Sequence, residues 1–144
     1  MNRVVTALAV LLFGSSLLAA DSPMFRGNPA HTGVFASPAP TLAAVKWQFK
    51  TMGPVLSTPA VVGDMVFVGS ADHHLYAIRI ADGSEVWKFK TDLGVNSSPA
   101  VADGLVYFSS RDGNIYAVSA AKGDLVWKYA TKGERRFTAP GIHG

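Results

Sequence analysis

The stretch ADGSEVWKFKT, residues 81–91, returns forty residues later as AKGDLVWKYAT, residues 121–131. A worn third copy, AAVKWQFKT, ends at Thr51, so Trp stands at 47, 87 and 127. Aligning 47–86 on 87–126 without a gap gives 17 identities in 40 positions, including Val66/Val106, Asp72/Asp112, Tyr76/Tyr116, Ala77/Ala117 and Gly83/Gly123. A third unit opens at Trp127, and Thr138-Ala139-Pro140 matches Ser57-Thr58-Pro59 after one inserted residue. Self-similarity at a fixed period of about 40 residues marks a solenoid or a propeller.

Strand chemistry chooses between them. Each unit holds four short β-prone runs, in the first STPAVV, DMVFVGS, HLYAIRI and SEVWKFK. They are separated by Gly63-Asp64, Asp72-His73-His74 and Ala81-Asp82-Gly83, and in the second unit by Asp103-Gly104, Asp112-Gly113-Asn114 and Lys122-Gly123. Short strands with Gly/Asp turns at this spacing read as antiparallel β, and no segment carries a long 3.6-residue apolar stripe. Four strands in about 40 residues make one propeller blade. The expected fold is therefore all-β, a β-propeller of four-stranded antiparallel blades. About two and a half blades are present over residues 45–144, an incomplete ring whose last unit is truncated.

A blade has two apolar faces, and each must be covered by a neighbour. A Trp gains most from that cover, because one indole buries on the order of 200 Å². Trp47, Trp87 and Trp127 are accordingly expected to pack blade on blade from the outermost strand.

The N-terminus has an address written into it. MNRVVTALAVLLFGSSLLAA has one cation, Arg3, then an uncharged run from Val4 that closes on Ala19 and Ala20. That is the pattern of a secretory signal peptide over residues 1–20, cleaved after Ala20. At 17 uncharged residues broken by Gly14, Ser15 and Ser16, the run is short for a spanning helix. The expected product is exported, periplasmic or extracellular, with no stable membrane insertion after cleavage. Residues 21–44 hold four of the eight prolines and read as an extended lead-in segment.

The chain has 144 residues, is 49% hydrophobic and 16% charged, and carries a formal charge of +3 without a basic run, so nucleic acid is not an expected partner. Cysteine is absent, which removes disulfides, thiolate metal sites, a Cys nucleophile and a lipidated N-terminus. Candidate chemistry is sparse. Asp72 and Asp112 fall in equivalent hairpin turns, where such side chains cap their own backbone. His73-His74 takes the place of Gly113-Asn114, a hairpin tip; neighbouring strand side chains point to opposite faces and rarely share a metal ion. His31 and His143 are isolated, and Arg26, Arg135 and Arg136 make an anion patch only if folding gathers them. Asn96-Ser97-Ser98 matches a glycosylation acceptor but aligns with Leu56-Ser57-Thr58 ahead of an inner strand. No catalytic and no metal-ligating set emerges.

The unit GNIYAVSAAKGDLVWKYAT, residues 113–131, resembles the repeat of the pyrroloquinoline-quinone (PQQ)-like β-propellers, and PMFRGNPAHTGV, residues 23–34, resembles the opening of such proteins. In that family an Ala-x5-Gly-x3-Trp pattern docks blades together. The resemblance assigns this role to Ala77, Gly83 and Trp87, and to Ala117, Gly123 and Trp127, with Trp47 the remaining copy. One branch of the family is quinoprotein dehydrogenases, which bind PQQ and calcium on the propeller axis and oxidise alcohols or sugars. The other is non-catalytic propellers that bind proteins in the cell envelope, among them a lipoprotein of the outer-membrane β-barrel assembly machinery. The vicinal disulfide of some dehydrogenases has no counterpart here, and neither has the lipidated Cys. The expectation is an exported binding or scaffold module without a cofactor of its own. Its partner is an envelope protein or the missing blades; a ring of several identical chains is the rival assembly. The alternative is the N-terminal part of a PQQ- and calcium-dependent dehydrogenase.

Overall fold

The computed structural model describes residues 21–34 and 44–131. Residues 1–20, read above as a signal peptide, residues 35–43 of the expected lead-in segment, and Arg135, Arg136, Thr138-Ala139-Pro140 and His143 of the expected third unit lie outside the described residues.

Two four-stranded antiparallel sheets follow one another along the chain. Blade 1 is β1 (Ala60–Val62), β2 (Met65–Gly69), β3 (His74–Arg79) and β4 (Glu85–Lys90). Blade 2 is β5 (Ala100–Ala102), β6 (Leu105–Ser109), β7 (Asn114–Ser119) and β8 (Leu125–Ala130). Strands pair in chain order in both. Val, Ile, Tyr, Phe and Trp fill the strands because branched and aromatic side chains pack well on a pleated sheet. The register runs Phe67↔Ala77↔Trp87 in blade 1 and Tyr107↔Ala117↔Trp127 in blade 2. Each fourth strand carries one extra residue, opposite Ala77/Ile78 and Ala117/Val118, a bulge that adds local twist.

Each blade ends with its Trp strand, as the order of the β-prone runs implies. Trp87 lies on the fourth strand of blade 1 and Trp127 on that of blade 2. Residues 44–50, which carry Trp47, form no ladder among the described residues and instead lie on the near face of blade 1.

One core fills the space between the sheets: Phe67, Leu75, Ala77 and Trp87 from blade 1 meet Val101, Val106, Phe108, Tyr116 and Val118 from blade 2. A smaller cluster on the near side of blade 1 joins Val68, Tyr76 and Ile78 to Trp47 and Phe49. Residues 21–34 open on an extended stretch. Ser22 exchanges two backbone hydrogen bonds of 2.7 Å with Val61 of β1, and the Pro23 carbonyl accepts one from the Val101 N–H of β5. Beyond it the chain turns, with Gly27 N–H bonded to Met24 O and His31 N–H to Asn28 O.

The β2–β3 hairpin shows where the first repeat departs from the second. His73 sits at φ 75°, where its counterpart Gly113 has φ 85°. A side chain costs roughly 1–2 kcal/mol in that left-handed region. Glycine escapes this cost but gives up about 0.5–1 kcal/mol of chain entropy. His73→Gly is therefore expected to raise stability by about 0.5–1 kcal/mol, seen as a higher urea midpoint at unchanged slope. A lower midpoint would mean that the imidazole makes a compensating contact.

Candidate functional site

Within the junction between the blades, one side chain meets one turn. Trp87 projects from β4 across to blade 2, and its indole Nε1–H donates to the Ala120 carbonyl at 3.0 Å. The ring lies over Gly123, held at φ 75°, so closely that a Cβ there would stand 2.7 Å from Trp87 Cδ2. Phe67 backs it at 5.8 Å between ring centroids. Two residues further along β4, Phe89 meets the Tyr116 ring edge-on at 5.5 Å.

The same set recurs one repeat earlier, with no blade behind it among the described residues. Trp47 Nε1–H donates to the Ile80 carbonyl at 2.7 Å, and a Cβ on Gly83 would reach 2.7 Å from the Trp47 ring. Phe49 meets the Tyr76 ring edge-on at 5.2 Å. Beside this segment an apolar groove of about 540 Å³ is left, lined by Val55, Pro59, Val66, Val68 and Ile78. Trp127, at the far end, is 42% exposed against 9% for Trp87. Ala77 and Ala117 lie buried opposite their Trp partners, where a larger side chain would lift the indole.

Each β2–β3 type hairpin is closed by a carboxylate that sequence reading identified only as a turn former. Asp72 Oδ2 accepts from the Tyr76 hydroxyl and from the Met52 N–H, both at 2.9 Å, and its Oδ1 accepts from the His74 N–H. Asp112 repeats this with Tyr116 at 2.8 Å, the Asp92 N–H and the Asn114 N–H. The hairpin is thereby tied to the loop that enters it from the previous repeat. The signal was present as an Asp-x-x-x-Tyr spacing at 72/76 and 112/116.

Burial pushes the Asp72 carboxyl up, but the hydrogen bonds from Tyr76, Met52 and His74 outweigh it and hold the group below its ordinary 3.8. Asp112 is lowered in the same way, burial being outweighed by Tyr116, Asn114 and Asp92. Burial, and then the adjacent carboxylate, push Tyr76 and Tyr116 up to about 12. A carboxyl lowered by folding stabilises the native state above its unfolded value near 3.8, and that stability is lost as pH falls through the folded value. A raised phenol contributes below pH 10 and loses its contribution between 10 and about 12. Urea melts against pH are expected to show both losses, and Asp72→Asn with Asp112→Asn to flatten the acid limb. An acid limb unchanged in the double variant would place the effect elsewhere.

These carboxylates do not fit a calcium site, since both oxygens of each already accept hydrogen bonds from the protein. Among the described residues no group of three or more His, Cys, Asp or Glu is placed to hold a metal ion. The His31 ring lies 6.1 Å from that of Phe25 between centroids, tilted by 53°. Asn96 Oδ1 is buried without a hydrogen-bond partner. Ser97 Oγ donates to the Ser109 carbonyl and Ser98 Oγ accepts from the Thr58 N–H, so this triplet stitches loop to strand and blade to blade. No helix among the described residues is long and apolar enough to cross a membrane.

The family model described as outer membrane protein assembly factor BamB matches residues 36–140. No curated protein sequence matches the chain. Among solved structures, BamB from Moraxella catarrhalis superposes with a TM-score of 0.57 at 19% identity, over 62% of this chain and 28% of that one. Quinohemoprotein alcohol dehydrogenase from Comamonas testosteroni gives 0.69 at 24% identity, over 81% and 20%. A europium-containing methanol dehydrogenase gives 0.65 at 24%, over 78% and 23%. At these identities the likeness is one of fold. The chain spans between a fifth and somewhat over a quarter of the length of these structures.

Proposed function

We propose, since the chain belongs to the PQQ-like β-propeller family of outer membrane protein assembly factor BamB, that it is an exported binding or scaffold module of the cell envelope and not itself a catalyst. In this reading Trp47, Trp87 and Trp127 dock blades through the turns at Gly83 and Gly123 and over Ala77 and Ala117. The observation that carries the binding role is where the uncommitted chemistry lies. The hairpin carboxylates of Asp72 and Asp112 are engaged by the fold itself, whereas the equivalent loops ahead of β1 and β5 expose apolar side chains: Met52 is 90% exposed, Leu56 67% and Leu93 47%. Large apolar side chains gathered at one end of a repeat array suit a protein partner.

The test replaces Met52 or Leu56 by a photoreactive residue in the chain expressed with its own N-terminus. Adducts with an envelope protein, formed in the exported fraction, are the expected result. Adducts only with cytoplasmic proteins, or none, would overturn it.

The enzyme reading is favoured by one observation, the higher superposition on the two dehydrogenases. It requires a quinone and calcium held by residues other than the engaged Asp72 and Asp112. Dye reduction by the chain with PQQ, calcium and a primary alcohol or sugar would favour it; the expected result is none.

A further inference from the structure

Two apolar faces are left uncovered by any strand among the described residues, and the repeat makes them counterparts. On the far face of blade 2, Ile115, Trp127 and Tyr129 are exposed. Their equivalents in blade 1, Leu75, Trp87 and Phe89, are the side chains that press on blade 2. On the near face of blade 1, Val66, Val68 and Ile78 line the groove beside residues 44–50. Their equivalents in blade 2, Val106, Phe108 and Val118, are the residues blade 1 covers. The internal junction is thus a template for placing the far face of one chain against the near face of another.

What stands in the way is Trp47. The slot that would receive Trp127 is formed by the Ile80 carbonyl and Gly83, as that for Trp87 is formed by the Ala120 carbonyl and Gly123. Trp47 already donates to that carbonyl and lies against that glycine, leaving no room for a second indole.

We propose that the near face of blade 1 is a docking surface for the far face of blade 2 of a second copy of this chain, and that residues 44–50 keep it closed by filling the tryptophan slot. The contact is head-to-tail, using different patches on the two copies, so nothing in it limits growth to a dimer. The segment offers one unpaired strand's worth of chain where a blade would offer four, and it covers the slot while leaving the groove open. That is enough to deny entry to Trp127, and it blunts an otherwise open sheet face.

The test is the mass of the intact chain by light scattering across a concentration series. Wild type is expected to remain monomeric at low micromolar concentration. Trp47→Ala is expected to associate with a midpoint at least about tenfold lower than wild type, a coupling typical of one removed competitor. Adding Trp127→Ala in the same chain is expected to return it to monomer. Trp47→Leu, which keeps apolar cover but lacks the indole N–H, serves if the alanine variant loses its β-sheet signal in circular dichroism; it is expected to associate less strongly. The proposal fails if a folded Trp47 variant remains monomeric throughout, if association survives Trp127→Ala, or if wild type associates as readily as the variants.

Discussion

Trp87→Ala is expected to lower the stability of the fold by roughly 3–5 kcal/mol, the range for removing a large buried aromatic side chain. The ring is 9% exposed, rests on Phe67 and Gly123, and supplies the donor for the Ala120 carbonyl, which the truncation leaves without its partner. Denaturant melts followed by circular dichroism provide the measurement. Trp127→Ala is the internal control: the same residue at the same place in the repeat, but 42% exposed and without a neighbouring blade among the described residues. Its cost is expected to be about 1 kcal/mol or less, as for other surface substitutions. Equal losses at the two positions would refute the idea that burial between blades sets the difference.

Gly123→Ala is expected to cost about 2–4 kcal/mol, although it adds a single methyl group. Part of this is the left-handed backbone at φ 75°, which glycine adopts at least cost. The larger part is overpacking, because the new Cβ would stand 2.7 Å from Trp87 Cδ2 and force the indole off the turn. The two substitutions act on one contact and should not add. In the double variant Trp87→Ala/Gly123→Ala the clash is gone, so the glycine change is expected to cost only its backbone share of about 1 kcal/mol. Strict additivity in that cycle would show that the turn and the ring do not touch in solution.

The fold was largely legible because the same forty residues were written twice, and the turns carried their own chemistry. Asp103-Gly104 and Gly113 required positive φ, and Trp87 opposite Ala77 set the packing. A periodic sequence is equally self-similar wherever it is cut, so the alignment from Trp47 gave the period alone; the order of the β-prone runs, with SEVWKFK fourth, gave the phase, and the hydrogen bonding agrees with it. The Asp72–Tyr76 and Asp112–Tyr116 pairs were missed. Each Asp lies in a turn and each Tyr in a strand, and neither periodicity alone relates the two. Function was least legible of all, since the recurrent residues are those that packing demands, while Met52, Leu56 and Leu93 do not repeat as a motif.

Ser22 and Pro23 take hydrogen bonds on β1 and on β5 at once. The edge amides of Val61 and Val101 would otherwise open to solvent independently, each with its own blade. Joined by one short strap, they form a single opening unit. Their hydrogen exchange is expected to be slowed to a shared rate, and Ser22→Pro, which removes one of the donors, to release both amides together. Separate rates in the wild type would show that the strap detaches from the two sheets one at a time. With a shared rate, Ser22 and Pro23 act as the clock of the inner edge, timing how often two adjacent repeats become accessible together.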